Sequence, residues 1–366
     1  MKQKAGIAMT VVLAASITST AFAADTVGIR QAVEAKGGVV TYHASDKSVD
    51  IQYLDTHMHF VIGADTITVN GGERQVSTAL VNQEAVMDAD TLEQIMKGAE
   101  AMKNTAEIQL ELGKVVIYDF GNIRLHAYLS NDALYDVCYL VEKGDAVVLI
   151  ESGAFDANVA EWDQYIQSLG KTVAGQLMAY HPNGADHYDA EVYATENAVK
   201  NWGEGGSIRA LTDGFVVSFG DAVAEEIPAQ TNIISAGDTI VLGDITFRIV
   251  AADDDAYSIE IPEINCIYRH MMGSQCHNIL ASMDAIDAEI AAMESYQEAG
   301  YTLILTSHYD PEGQEAVFAK IEYLKKTKEI VQSCDTAEAF IAAMQQEFPN
   351  YSGVNYLEMT AGMLFQ

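Results

Sequence analysis

The sequence predicts an α/β (α+β) protein in two parts: a small α+β module, then a larger unit of two sheets with helices outside. Three observations predict it. Short β-rich segments recur in pairs around tight turns. Segments with apolar residues at helical spacing alternate with those pairs. The 366 residues are 49% hydrophobic and 20% charged, the balance of a globular chain long enough for about two domains.

Lys2 and Lys4 open the chain, an apolar run covers 5–15, and Ala21-Phe22-Ala23 closes the segment. This is the plan of a secretory signal peptide over 1–23. The mature protein is therefore expected to be secreted or periplasmic, in the cell envelope. No later run of 18 apolar residues predicts insertion into a membrane after cleavage.

Residues 24–103 make the first module. Apolar residues at helical spacing over 29–35 are stopped by Gly37-Gly38. Segments 39–43 and 48–53 read as strands around Ala44-Ser45-Asp46-Lys47, and 57–62 and 66–70 as another pair broken at Gly63. A second helix is expected over 89–96. The stretch 99–112, rich in Ala, Lys, Glu and Gln, reads as helical, with the module boundary near Asn104.

The larger unit, 104–366, opens with strands at 114–120, 123–129, 136–141 and 146–151. A helix over 156–169 stops at Gly170, a strand covers 172–180, and 189–202 reads as helical. Segments 239–242 and 246–250 form a hairpin around Gly243-Asp244, and 258–261 with 265–268 form another pair. A helix over 278–299 keeps Ile279, Met283, Ile286, Ile290, Met293 and Tyr296 near one face. A buried strand at 303–306 and helices over 313–330 and 336–346 follow. The tail NYSGVNYLEMTAGMLFQ is apolar almost to its last residue, so it is expected to dock on the body or on a partner.

The run IRQAVEAKGGVVTYHASDKSVDIQYLDTHMHFVIGADTITVNGGERQ resembles the copper amine oxidase N-terminal-like domain over residues 27–98. That resemblance implies a stalk-like spacer that touches an envelope or protein partner. His57 and His59 alternate along a strand and share one face, but two imidazoles alone make a weak metal site.

Residues 115–345 resemble the metallo-β-lactamase superfamily on three runs. VCYLVEKGDAVVLIESGAF matches its opening strands and places Glu151-Ser152-Gly153 at its D-T-G-like turn. LMAYHPNGADHYDA falls where the family has an H-x-H-x-D-H loop, and LILTSHYDPEG where it has its last ligand histidine. The resemblance implies a four-layer αββα sandwich with ligands at strand ends, a donor set suited to zinc or a similar divalent metal.

The ligand pattern is incomplete. His181 matches the first loop histidine, Asn183 stands where the second would be, and Asp186 and His187 match the D-H pair one residue late. The middle histidine has no counterpart; its region offers Asp253-Asp254-Asp255. His270 lies nearest the place of the bridging aspartate, and His308 matches the last histidine. The resemblance thus implies one ion on Asp186, His187, His308 and His270, with Asp186 as ligand or base and His181 orienting substrate or water. His277, seven residues after His270, and Asn183 are further candidates for the pocket. The expected function is an exported hydrolase that uses one metal ion to activate water against an ester, lactone or amide bond. The alternative is a non-catalytic exported binding protein with a degenerate metal site.

Other motifs are weaker. Ser152 lacks a G-x-S-x-G elbow, and 203–206 lacks a phosphate-loop lysine. The chain carries 53 acidic against 20 basic residues, a net charge of -33. That excludes partners gripped through phosphates, both nucleic acid and anionic membrane, and leaves neutral or cationic small-molecule substrates open. Cys138, Cys266, Cys276 and Cys334 allow three pairings among which spacing does not choose, and no C-x-x-C occurs.

Overall fold

A computed structural model describes residues 26–228, 231–252 and 256–365. The leader at 1–23 and the acid triplet 253–255 lie outside the described residues.

The first module is built on alternation. In the strand Ser48–Tyr53, Val49, Ile51 and Tyr53 turn inward while Asp50 and Gln52 face out. That strand belongs to a five-stranded antiparallel meander of Val39–His43, Ser48–Tyr53, Thr56–Val61, Thr66–Val69 and Gly72–Gln75. Thr26–Gly28, Glu84–Asp88 and Thr78–Val81 form a separate three-stranded sheet. Two helices complete the module's own core. Ile29–Ala35 inserts Ile29 and Val33, and Ala89–Lys103 inserts Leu92, Ile95, Met96 and Ala99. The second helix begins at Asp88, whose side chain accepts from the Thr91 amide, and it ends before Asn104. The helical reading of 99–112 is therefore corrected: Ala106–Gln109 is a strand paired with Lys114–Asp119. The Gln94 side chain reaches across to the Pro262 carbonyl, so this module touches the larger unit.

The larger unit is a two-sheet sandwich with outer helices. An eight-stranded sheet runs antiparallel from Ala106–Gln109 through Lys114–Asp119, Ile123–Leu129 and Val137–Lys143 to Ala146–Ile150. It continues in parallel through Thr172–Leu177, Val192–Thr195 and Asn232–Ile234. The second sheet orders Thr239–Leu242, Ile245–Ala252, Tyr257–Ile261, Cys266–Tyr268 and Leu303–Leu305, and only its last pair is parallel. Alternate residues of both sheets meet in one core; Leu125, Tyr139 and Val141 face Phe247, Ile259 and Tyr268 there. The opposite face of the large sheet is covered by Trp162, Tyr165 and Ile166 of the helix Asp156–Ser168. The small sheet's outer face is covered by helices Met283–Ala299, Gln314–Ser333 and Ala337–Glu347. Helix Val354–Leu364 packs Leu357 and Ala361 into the same layer, so the apolar tail docks on the body.

Other segments differ from the sequence reading too, among them the following. Residues 189–202 split into the strand Val192–Thr195 and a helix from Glu196, with the Thr195 side chain capping the Ala198 amide. The long helix begins at Met283 under a Ser282 cap, so His270 and His277 do not share a helix. A helix at Ser207–Phe219 was not foreseen. All four cysteines are free thiols, three of them buried.

Candidate metal centre

Three strands end at one place. Cys266–Tyr268 and Leu303–Leu305 lie side by side and parallel, so the residues after them leave the sheet together. The Arg269 amide donates to Leu305 O at 2.9 Å, and the Ser307 amide to His270 O at 3.0 Å. These bonds hold His270 and His308 as a pair on adjacent turns. Tyr139 fastens the second turn to the large sheet: its hydroxyl donates to Thr306 O at 2.7 Å and accepts from the Thr306 amide at 3.0 Å.

His181 arrives from the other sheet, after Thr172–Leu177. Its loop is held by Glu151, which lies fully buried at the end of Ala146–Ile150. The Glu151 carboxylate accepts the amides of Ala179, Tyr180 and His181 at 2.6, 2.7 and 2.8 Å. Glu151 itself has φ 65, an uncommon left-handed backbone that aims its side chain under this loop. The turn that follows needs Gly184, whose φ is 73 and whose missing Cβ leaves room for Val159.

The result is a group of three imidazoles. His181, His270 and His308 each offer a ring nitrogen, and these lie within 4.8 Å of one another. Ring centroids are 4.9 Å apart for His181 and His270, 5.2 Å for His181 and His308, and 5.1 Å for His270 and His308. Tyr180 stacks on His270 at 3.6 Å. Burial pushes His181 down to about 4 and His270 well below its usual value, so both rings are neutral near pH 7.

Asp136 supports the group from behind. It is buried at the start of Val137–Lys143, and its Oδ2 accepts the Ala154 amide at 2.9 Å. Its Oδ1 stands 3.3 Å from His308 Nδ1 but makes no hydrogen bond. The same nitrogen lies 3.2 Å from Leu134 O. A carbonyl there selects the tautomer with the proton on Nδ1, which leaves the Nε2 lone pair of His308 free. Burial alone would raise the Asp136 carboxyl; His308, His181 and the Ala154 amide outweigh it and hold it below its ordinary value.

The donor set fits a metal ion. His270 Nδ1 is buried with no hydrogen-bond partner. A buried polar atom of this kind marks a missing neighbour, and three imidazoles are a familiar shell for zinc.

The structure brings together only part of the expected set. His181, His270 and His308 converge. Asp186 and His187 do not join them, because the one-turn 3-10 helix Ala185–His187 after Gly184 carries both to the surface. His187 Nε2 lies 3.2 Å from Asp163 Oδ2, and Asp186 lines a separate surface groove with Asp221 and Glu225. Asn183 is buried and donates to Ala224 O at 2.7 Å, so it braces the loop. His277 is turned away, with Nδ1 3.1 Å from the Tyr323 hydroxyl. Sequence reasoning missed Asp136. Its signal was an acidic residue directly before an apolar strand that is buried on both faces.

A cavity of about 970 Å³ opens beside His308 and Asp136. Its walls include Leu129, Tyr135 and Tyr309, with Gln109 and Gln275 among the polar groups. It carries Asp136, Asp310 and Glu312 against one cation, Lys114, which lies 3.4 Å from Glu107.

No family model matches this sequence, and no curated protein matches it. Solved structures are similar in fold. A metallo-β-lactamase family protein from Thermus thermophilus has TM-score 0.48 at 11% identity, covering 67% of this chain and 91% of that one. A β-lactamase domain protein from Burkholderia ambifaria has TM-score 0.46 at 14% identity, covering 72% and 86%. A stereoselective inverting sec-alkylsulfatase from a Pseudomonas species has TM-score 0.46 at 13% identity, covering 75% of this chain and 51% of that one. At such identities the likeness concerns the path of the chain and not a reaction.

Proposed function

We propose that this protein is a hydrolase with a single metal ion, acting on a neutral or cationic ester, lactone or amide. The convergence of His181, His270 and His308, of which His308 also lines the cavity of about 970 Å³, carries the reading. Zinc or a similar ion held there would lower the pKa of a water and polarise a carbonyl. The chain's own groups do the rest. Leu134 O and Asp136 orient the His308 ring, Glu151 fixes the loop that presents His181, and Tyr180 holds the plane of His270. Restricting the rings in this way lowers the cost of forming the site.

The cavity selects by charge. Its three carboxylates outweigh Lys114, so an anionic substrate is repelled on approach while a neutral or cationic one is not. The strongly acidic chain as a whole acts in the same direction.

The test is metal content and turnover together. The purified protein is expected to take up one zinc at this centre, and His270→Ala and His308→Ala to lose it. Neutral acyl esters and lactones should then be hydrolysed faster than their carboxylate- or sulfate-bearing analogues. A chain that binds no transition metal on titration, or variants that bind it like the wild type, would overturn the reading in favour of a non-catalytic binding protein.

A further inference from the structure

We propose that the substrate carries a protonated amine, held in the cavity beside His308 by the Asp310 carboxylate and the Tyr135 and Tyr309 rings. The inference rests on the reading of this cavity as the substrate's, and it narrows that substrate to a cation.

The segment that follows His308 is stiff. Glu312 pairs with Ile304 through both backbone groups, at 2.8 and 3.0 Å, and the Tyr309 carbonyl accepts from Thr306 Oγ1 at 3.3 Å. Pro311 fixes its own φ between them. The Tyr309 ring lies against Gly273, where a Cβ would come within 2.7 Å of it. Its hydroxyl donates to Cys276 Sγ at 2.7 Å. The ring and the turn are therefore in position before any ligand arrives.

The carboxylates of the cavity are used unequally. Glu312 is engaged: it accepts the Ser274 amide at 3.0 Å and the Ser274 hydroxyl as well. Asp310 is exposed in the cavity and, among the described residues, makes no hydrogen bond and no ion pair. The inner wall holds another unused acceptor. Asp136 is 2% exposed and lines the cavity, and its Oδ1 has no hydrogen-bond partner. A buried oxygen in that state marks a place for a donor. A ligand rich in N–H groups satisfies both walls, and an anion satisfies neither.

Tyr135 adds an aromatic face. Its φ is 57, it is 68% exposed, and it lines the same cavity. A bulky residue in the left-handed region is uncommon, and such backbone gathers at ligand sites. The Asp132 carboxylate holds the turn by accepting the Leu134 amide at 2.8 Å. An exposed ring beside free carboxylates is the setting in which a π face attracts an organic cation.

The experiment uses the full chain after treatment with a chelator, so that binding is read without metal and without turnover. Benzylamine, benzyl alcohol and benzoate are titrated by calorimetry at pH 7.5 in about 0.15 M sodium chloride, which screens the net charge of the chain. Benzylamine is expected to bind at least tenfold more tightly than benzyl alcohol, and benzoate most weakly. Asp310→Asn should weaken benzylamine at least fivefold and leave benzyl alcohol unchanged. Tyr135→Leu should weaken benzylamine about two- to fivefold. Asp335→Asn, which removes an exposed charge outside the cavity lining, should change neither. The proposal is overturned if benzylamine binds no more tightly than benzyl alcohol, or if Asp310→Asn loses no more than Asp335→Asn. Either result leaves metal-dependent hydrolysis of neutral substrates standing, and a chain that takes up no zinc leaves the amine titration as it was.

Discussion

At the residue scale, two buried carboxylates separate support from chemistry. Asp136 touches the His308 ring and the Ala154 amide. Asp136→Asn is expected to weaken zinc affinity about 10–100-fold, measured by competition with a chelator, while the fold persists. Unchanged affinity would remove it from the centre. Glu151→Ala removes the carboxylate that accepts the buried Ala179 and His181 amides. Each such donor costs about 1–3 kcal/mol, so thermal unfolding should shift down by many degrees. A midpoint within about 2 °C of wild type would contradict the role assigned to it. The family resemblance names His270 and His308 as ligands and His181 as a group that orients substrate or water, and the structure brings all three rings together. Asp186 and His187 were misread for a physical reason. Their loop has no period, so spacing does not tell direction, and the left-handed Gly184 reverses it.

At the element scale, strong periodicity was readable and weak periodicity was not. The strands Val137–Lys143 and Ala146–Ile150, and the helices after Leu303–Leu305, follow from their apolar patterns. Val192–Thr195 is a four-residue strand running straight into a helix, too short to show its own period. Helix Ser207–Phe219 was missed because it buries little. Leu211, Val217 and Phe219 face solvent, so no core stripe is written in its sequence. The start of the long helix was misplaced because several polar residues precede it, and only Ser282 caps it. Ser282→Ala is expected to cost about 1 kcal/mol in urea unfolding. An unchanged unfolding midpoint would contradict a helix that starts under this cap.

At the scale of the whole molecule, one buried charge should be visible in the stability curve. Lys320 is fully buried and donates to Cys276 O at 2.9 Å and Asn278 Oδ1 at 2.7 Å. Burial pushes its ammonium down to about 8. The unfolded chain keeps the proton to about 10.4, so between these values it binds more protons than the folded chain. The stability of the wild type relative to Lys320→Met should therefore be lowest below pH 8 and rise toward pH 10.4. The unpaired acceptors left by methionine shift the baseline and not this slope. Denaturant unfolding of both chains across that range checks it, and parallel curves would refute it. Net charge gives a second whole-chain expectation: moderate salt screens the acidic self-repulsion, so the melting temperature should rise between about 0.01 and 0.15 M sodium chloride.

The docked tail has a consequence for biosynthesis. Asn350 and Ser352 line the cavity. Ser352 is tied into its wall by the His277 amide donating to its carbonyl and by its own amide donating to Gln275 O, each at 3.0 Å. Leu357 and Ala361 anchor the segment from beyond. The residues that present the three histidines are all translated earlier. A nascent chain therefore has its ligands before it has the far rim of its cavity, and the enclosure closes only once helix Val354–Leu364 has left the ribosome and folded back.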